Sequence, residues 1–310
     1  MAYAGAIIEE AEQKWRLALN LRPELDPAIK IQRRVTNRIL ALAKIIDEKL
    51  PVQTNFEIPS LVNKLVGGTP ILAGEWLEVD SSSLSTFAMG FCEDLAQGEA
   101  GAPAERLRLI LDEGRVEIGS LVSTSLGRGQ KEIRTKANFL GIAPDLLWLV
   151  AELVAGPIAN RIQRKLIVET KQPSPLLLAI QEWNNGFCQF CGSWPAFSEQ
   201  VKGTTPGRTL RCSYCGGTWT LKDDQCIYCR DDSDSLISAA INPDQPSEKV
   251  ELCQKCGVYL KCIEVSQPTS FELLAVEDLV TTELDIGAAE QGYTRAPMPI
   301  FESPKPPCLP

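Results

Sequence analysis

The chain has 310 residues, 44% apolar and 23% charged, a balance that suits two folded domains with a sizeable apolar core and excludes a disordered chain. Its formal charge of −9 argues against a phosphate backbone as the main partner. It contains no histidine, which excludes a Ser-His-Asp triad, a Cys-His nucleophile and every zinc site that needs imidazole.

The first ten residues carry no basic stretch and turn acidic at Glu9-Glu10, so no secretory signal is read there. The most apolar window, Leu146–Ala155, is interrupted by Glu152 and followed by Pro157; it is too short for a membrane span and reads as a buried helix. Glycine-rich phosphate loops, the dinucleotide fingerprint and the nucleophile elbow are all missing. Eleven cysteines, eight of them in Cys-x-x-Cys pairs, suit metal binding in a reducing compartment, and the expected location is the cytoplasm.

In chain order, residues 1–183 read as a helical domain. Ile7, Ala11, Trp15 and Ala18 form one stripe, separated by Pro23 and Pro27 from a second, Ile31, Val35, Ile39, Leu42, Ile46 and Leu50, which Pro51 closes. Further helices are expected at Ser83–Ala96, Ala104–Leu126, Pro144–Ala155, Ile158–Val168 and Pro175–Trp183, giving a bundle of about seven. At Asn184-Asn185-Gly186 the texture changes to short strands, expected at Arg208–Arg211, Thr218–Leu221, Lys249–Leu252 and Val258–Val265. Helical period returns from Val276 to a C-cap at Gly292, and the tail Pro297–Pro310 should be extended. The fold class is therefore α+β: an all-α N-terminal domain (1–183), two small rubredoxin-like or zinc-ribbon modules (184–222 and 223–266), then a C-terminal helix and proline-rich tail (267–310).

The chemistry sits in four pairs, Cys188/Cys191, Cys212/Cys215, Cys226/Cys229 and Cys253/Cys256, with twenty, ten and twenty-three residues between them. A Cys-x-x-Cys turn offers two thiolates to one ion and a second turn completes a tetrahedral shell. The long gaps fit a ribbon and the short one a linker, so the first pair is matched with the second and the third with the fourth. Two metal ions per chain are expected, zinc or iron, each held by four cysteines; the spacing does not choose the metal.

Gly192, Gly216 and Gly257 follow three of the pairs, where the backbone turns its N–H groups toward sulfur and needs a positive φ. The third pair has Arg230 instead, a conformation costing on the order of 1 kcal/mol in a residue other than glycine. Asp231, Asp232 and Asp234 follow it closely. Both features predict that the second centre holds its ion less tightly. Cys92 and Cys262 read as core residues, and Cys308 lies in the tail with nothing to position it.

The ordered run Cys188-x-x-Cys-Gly-Ser-x-Pro195, Cys212-x-x-Cys-Gly-x-x-Trp219, Cys226-x-x-Cys229, Cys253-x-x-Cys-Gly-x-Tyr-Leu-Lys261 and Gly292-Tyr-x-Arg295 closely resembles the formate dehydrogenase accessory protein family, FdhE. The resemblance covers Phe187 to Phe301, and more loosely Trp15-Arg16 and Arg22-Pro23-Glu24-Leu25. It implies a helical domain, two rubredoxin-like modules and a maturation role, without catalysis, exercised by binding the catalytic subunit of formate dehydrogenase. Gln189 stands where the family often has proline and Thr220 where it often has histidine, so no role for that histidine carries over.

Two rival readings are a rubredoxin-type electron-transfer protein and a nucleic-acid-binding zinc ribbon. Residues 186–265 carry eight Lys/Arg against ten Asp/Glu before any thiolate is counted, which disfavours nucleic acid. No membrane insertion is expected, and homo-oligomerisation is left open.

Overall fold

A computed structural model of the chain describes residues 2–170, 173–203, 208–221, 225–231, 233–240 and 248–299. Asp232, Cys308 and most of the proline-rich tail lie outside the described residues. Two compact units emerge, one of residues 2–57 and 71–169, the other of 58–70 and 170–299 among those described. No helix among the described residues is long and apolar enough to cross a membrane.

In chain order the helices are α1 (Ala2–Leu21), α2 (Asp26–Glu48), α3 (Ile58–Val66), α4 (Leu84–Leu95), α5 (Gly101–Asp112), α6 (Ile118–Leu126), α7 (Gln130–Leu140), α8 (Pro144–Glu169) and α9 (Pro175–Gln181). Except for α3 and α9, which pack on each other in the second unit, they build the first. On α1 the stripe Ile7, Ala11, Trp15 and Ala18 is buried. On α2 the buried positions are Ile29, Thr36, Leu42 and Ile46, so the helix starts earlier than its apolar period suggests.

The single helix expected over Ala104–Leu126 is two. Gly114, at φ 67°, turns the chain, and the Glu117 carboxylate accepts from the Gly119 and Ser120 amides to start α6. Conversely, Pro157 does not divide α8. Proline removes one helical donor, but residues Val154–Asn160 are all buried, and burial of this face against neighbouring helices outweighs the lost bond. Helix α7 was not expected, because only Ile133, Ala137 and Leu140 of its polar sequence face the core.

The second unit holds one six-stranded sheet made of β1 (Phe197–Val201), β2 (Thr209–Arg211), β3 (Thr218–Thr220), β4 (Leu236–Ala240), β5 (Lys249–Cys253) and β6 (Tyr259–Val265). Their order is β3-β2-β1-β6-β5-β4. Each half is an antiparallel three-strand ribbon, and the halves join through β1 and β6, parallel and in register from Phe197 opposite Lys261 to Val201 opposite Val265. Strands β1 and β4 were not expected. The C-terminal helix is two, α10 (Phe271–Val280) and α11 (Thr282–Glu290), which send Leu274, Leu284 and Ala288 into a core with Phe197, Val250, Leu252, Tyr259 and Ile263.

One charged side chain is part of that interior. Lys261 has a fully buried side chain, and its Nζ meets the Asp278 carboxylate at 2.6 Å and the Asp285 carboxylate at 3.0 Å. Arg295 closes the group, 2.8 Å from Asp278 and 2.5 Å from Asp285. Burial opposes ionisation of Asp278, yet Lys261 and Arg295 more than reverse this and hold it below the usual carboxylate range. Strand β6 is thereby fastened to both helices and to the segment that follows them.

The ribbons also meet at Gly186, where an added Cβ would stand 1.7 Å from the Ile227 carbonyl oxygen. Gly186→Ala should destabilise the protein by about 1–3 kcal/mol through overpacking against backbone. Gly5→Ala, at an exposed position in the first turn of α1 with open space around it, should be neutral or gain up to about 0.5–1 kcal/mol. Calorimetry of the two variants checks the contrast; an unchanged melting profile for Gly186→Ala would contradict the tight contact.

Candidate metal centres

Eight thiols come together in two groups of four, Cys188, Cys191, Cys212 and Cys215 in one, Cys226, Cys229, Cys253 and Cys256 in the other, with sulfurs within 4.8 Å of one another. In the first, Cys188 and Cys215 are 3.5 Å apart and Cys191 and Cys212 3.4 Å. In the second, Cys226–Cys256 is 3.8 Å and Cys229–Cys253 is 3.7 Å. A tetrahedral shell with metal–sulfur bonds of about 2.3 Å places its sulfurs about 3.8 Å apart, so the donor set and its spacing fit one ion per group.

All four turns share one backbone plan. The amide two residues beyond the third position of each turn, that of Gly192, Gly216, Arg230 or Gly257, donates to the carbonyl of the first cysteine at 2.8–3.0 Å. The first cysteine's own amide donates to the carbonyl five residues on, that of Ser193, Gly217, Asp231 or Val258, at 2.9–3.0 Å. The plan requires a left-handed residue after the second cysteine: φ is 79° at Gly192, 73° at Gly216, 69° at Gly257 and 62° at Arg230. Arg230 therefore occupies the strained conformation that its place in the repeat demands. Gly217 is needed for space, since a Cβ there would lie 2.8 Å from the Cys188 sulfur.

The two groups differ in their surroundings. All four cysteines of the first are buried, whereas in the second Cys226 and Cys253 are buried, Cys256 is half-buried and Cys229 is exposed. Burial pushes the Cys188 and Cys215 thiols well above their ordinary range. A cation is what reverses that penalty, by accepting the sulfurs as thiolates. At the second group burial pushes Cys226 up to about 11; burial also works to raise Cys253, but backbone donors led by Cys256 and the Ser235 hydroxyl bring it down to about 6. Asp231 does not add an uncompensated charge, as its position suggested. It is ion-paired with Lys255 of the opposite turn, and that hydrogen bond holds its carboxyl below the usual range.

Sequence reasoning missed the aromatic chain between the groups. Trp183, Phe187, Trp194 and Tyr228 meet edge to face in succession, with centroids 5.6, 5.8 and 5.0 Å apart. Trp194 follows the first turn and Tyr228 lies inside the third, so this chain and Gly186 weld turn to turn. Indole N–H groups of Trp183 and Trp219 donate to the Phe187 and Asn185 carbonyls and fix the approach to Cys188. Gln189 is buried, and its amide donates to the Thr218 carbonyl of β3 at 3.0 Å.

Among the described residues, the other two cysteines join neither group. Cys92 is buried in α4 and Cys262 is half-buried on β6; burial pushes both thiols up to about 12. Such thiols are inert packing residues.

These features define a class: an α+β protein with a helical unit and two tandem four-cysteine zinc-ribbon modules in one sheet. Residues 210–301 match the family model "FdhE, C-terminal domain". "Protein FdhE" of Escherichia coli O127:H6 is 28% identical over 172 residues, 54% of this chain and 52% of that protein. The FdhE homolog of Aquifex aeolicus is 24% identical over 159 residues, 49% and 56% of the two chains. The chain thus spans about half the length of the curated relatives it matches. The crystal structure of the FdhE protein from Pseudomonas aeruginosa shares the fold, with a TM-score of 0.58 and 19% identity over 93% of each chain. The chain is thus similar to FdhE proteins in sequence over about half its length, and to one of them in fold.

Elemental analysis of anaerobically purified protein should return two ions per chain, and one each for Cys188→Ser/Cys191→Ser and Cys226→Ser/Cys229→Ser; one ion or none in the unsubstituted chain would overturn the pairing.

With a chelator, the second centre should empty first. In the Cys188→Ser/Cys191→Ser background, Arg230→Gly should slow that release about fivefold, the rate equivalent of removing about 1 kcal/mol of backbone strain. Equal release from both surviving centres would contradict the ranking.

Proposed function

We propose that the chain is an accessory factor required for formate dehydrogenase activity, which acts in the cytoplasm by binding the enzyme's catalytic subunit and is not itself an enzyme. The ordered run of four cysteine turns in two tandem modules carries this reading, together with the likeness to FdhE proteins. The chemistry of the chain supports it. Without histidine, and with the Cys92 and Cys262 thiols pushed up by burial, it offers few groups for acid-base or nucleophilic work. The eight cysteines are proposed as the ligands of two ions, zinc or iron; zinc would hold shape alone, whereas iron in a four-sulfur shell adds a one-electron couple.

On this reading the metal-bearing sheet is a rigid platform. Its rigidity comes from residues of this chain: the Lys261–Asp278–Asp285–Arg295 group, the aromatic chain and the β1–β6 pairing. Binding gains when the recognising surface is already ordered, because less conformational freedom is lost on association.

Deleting the gene should abolish formate dehydrogenase activity while its transcript and polypeptide persist, and the tagged full-length chain should capture the catalytic subunit from native lysate. Normal activity in the deletion strain would remove the proposal. Loss of the transcript would favour the nucleic-acid reading instead.

A further inference from the structure

The two metal groups share one turn geometry but not one environment. In the first, every sulfur is buried, and Gly217 lies so close to Cys188 and Cys215 that no added atom fits beside them. No ligand can reach an ion held there unless the unit opens. In the second, Cys226 and Cys253 face inward, and the turn that carries Cys226 is anchored: Tyr228 packs on Trp194 at 5.0 Å and its hydroxyl donates to the Tyr259 carbonyl at 3.2 Å. Cys229, the last residue of the same turn, is exposed and is followed by Arg230 in the left-handed region. One end of the turn is fastened, and the other is open to solvent and adjoins the one strained residue of the repeat.

We propose that the second centre is a thiol-exchange site, at which an incoming thiol takes the place of Cys229 on the bound ion. In the exchange the Cys229 sulfur–metal bond breaks and a bond from the incoming sulfur forms. The proton released by the incoming thiol goes to the departing Cys229 sulfur, directly or through water. Four thiolates remain on the ion, its oxidation state is unchanged and no other reactant is consumed. Cys226, Cys253 and Cys256 stay as a three-sulfur platform, with the Lys255–Asp231 ion pair tying together the two turns that carry them. This inference rests on both groups holding metal and not on the maturation role.

The test uses the full-length chain loaded with cobalt(II), whose near-ultraviolet sulfur-to-metal band scales with the number of bound thiolates. Cys229→Gly should lose about a quarter of the second centre's band, and 2-mercaptoethanol or a short cysteine-containing peptide should restore it. Restoration by both identifies a position that any thiol can fill, and restoration by the peptide alone identifies a protein thiol as the ligand; either supports exchange. Cys191→Gly in the buried first centre should not be restored by either. Should Cys229→Gly fail to fold, zinc-loaded unsubstituted protein is treated with limiting N-ethylmaleimide and its peptides weighed. Cys229 should be modified about tenfold faster than any first-centre cysteine, the difference between an exposed group and one that must wait for local opening. Cobalt bound by Cys229→Gly without restoration by either thiol, or equal modification of Cys229 and the first-centre cysteines, would overturn the proposal. Failure of the unsubstituted chain to bind cobalt would overturn the metal reading beneath it.

Discussion

Four sulfurs brought within bonding distance of a common point suit a cation, because burial opposes the negative charge that thiolates without one would carry. Arranging such a group twice shapes most of the second unit. Each turn must point amides inward, which forces a left-handed residue at its end, and three glycines and one arginine supply it. Each turn must also return the chain into a strand, and bonds from Cys188, Cys212, Cys226 and Cys253 to carbonyls five residues on do so. The strands are short because they only connect turns. Two such ribbons bury little apolar surface by themselves, and the metal reading accounts for how they stay folded.

What joins the ribbons is conventional protein packing. Parallel pairing of β1 with β6 makes one sheet of two, α10 and α11 cover a face of it, and the buried Lys261 locks the cover in place. A buried lysine is costly unless fully paired, so this group specifies one arrangement more than it adds stability. The Gly-x-Tyr-Leu-Lys and Gly-Tyr-x-Arg segments singled out in the sequence are the two sides of that group: Tyr259 donates to Asp285 at 2.6 Å, and Arg295 reaches both the Tyr259 hydroxyl and Asp285.

How much of this was legible in the sequence depended on whether the signal was local. The cysteine turns declare themselves, since ligand, glycine and spacing lie within six residues, and even the unusual backbone at Arg230 follows from its place in the repeat. Amphipathic stripes such as Ile7 to Ala18 were equally plain. The errors fell where tertiary context decides. Pro157 reads as a break and is carried through by burial on all sides, while α7 is too polar to show a stripe. Strands β1 and β4, Phe-Ser-Glu-Gln-Val and Leu-Ile-Ser-Ala-Ala, lack clean alternation, because pairing partners and not a solvent face determine them. The aromatic chain from Trp183 to Tyr228 joins residues up to forty-five positions apart and leaves no periodic trace. Asp231 was misjudged for the same reason: its partner, Lys255, lies on another turn.

The inequality of the centres follows from tandem arrangement. A repeated module is covered by its neighbour, and a terminal one has a face that nothing covers. Here the third turn packs Ile227 on Gly186 and Tyr228 on Trp194, beside a first centre whose sulfurs are all buried. Among the described residues no third module stands over the second, and in the segment after α11 Thr294 bonds to Gly257 and Tyr259. Cys229 is left at the surface. The same turn that packs on the first module therefore leaves Cys229 of the second centre exposed at its outer end, and a residue other than glycine beside that end adds strain there.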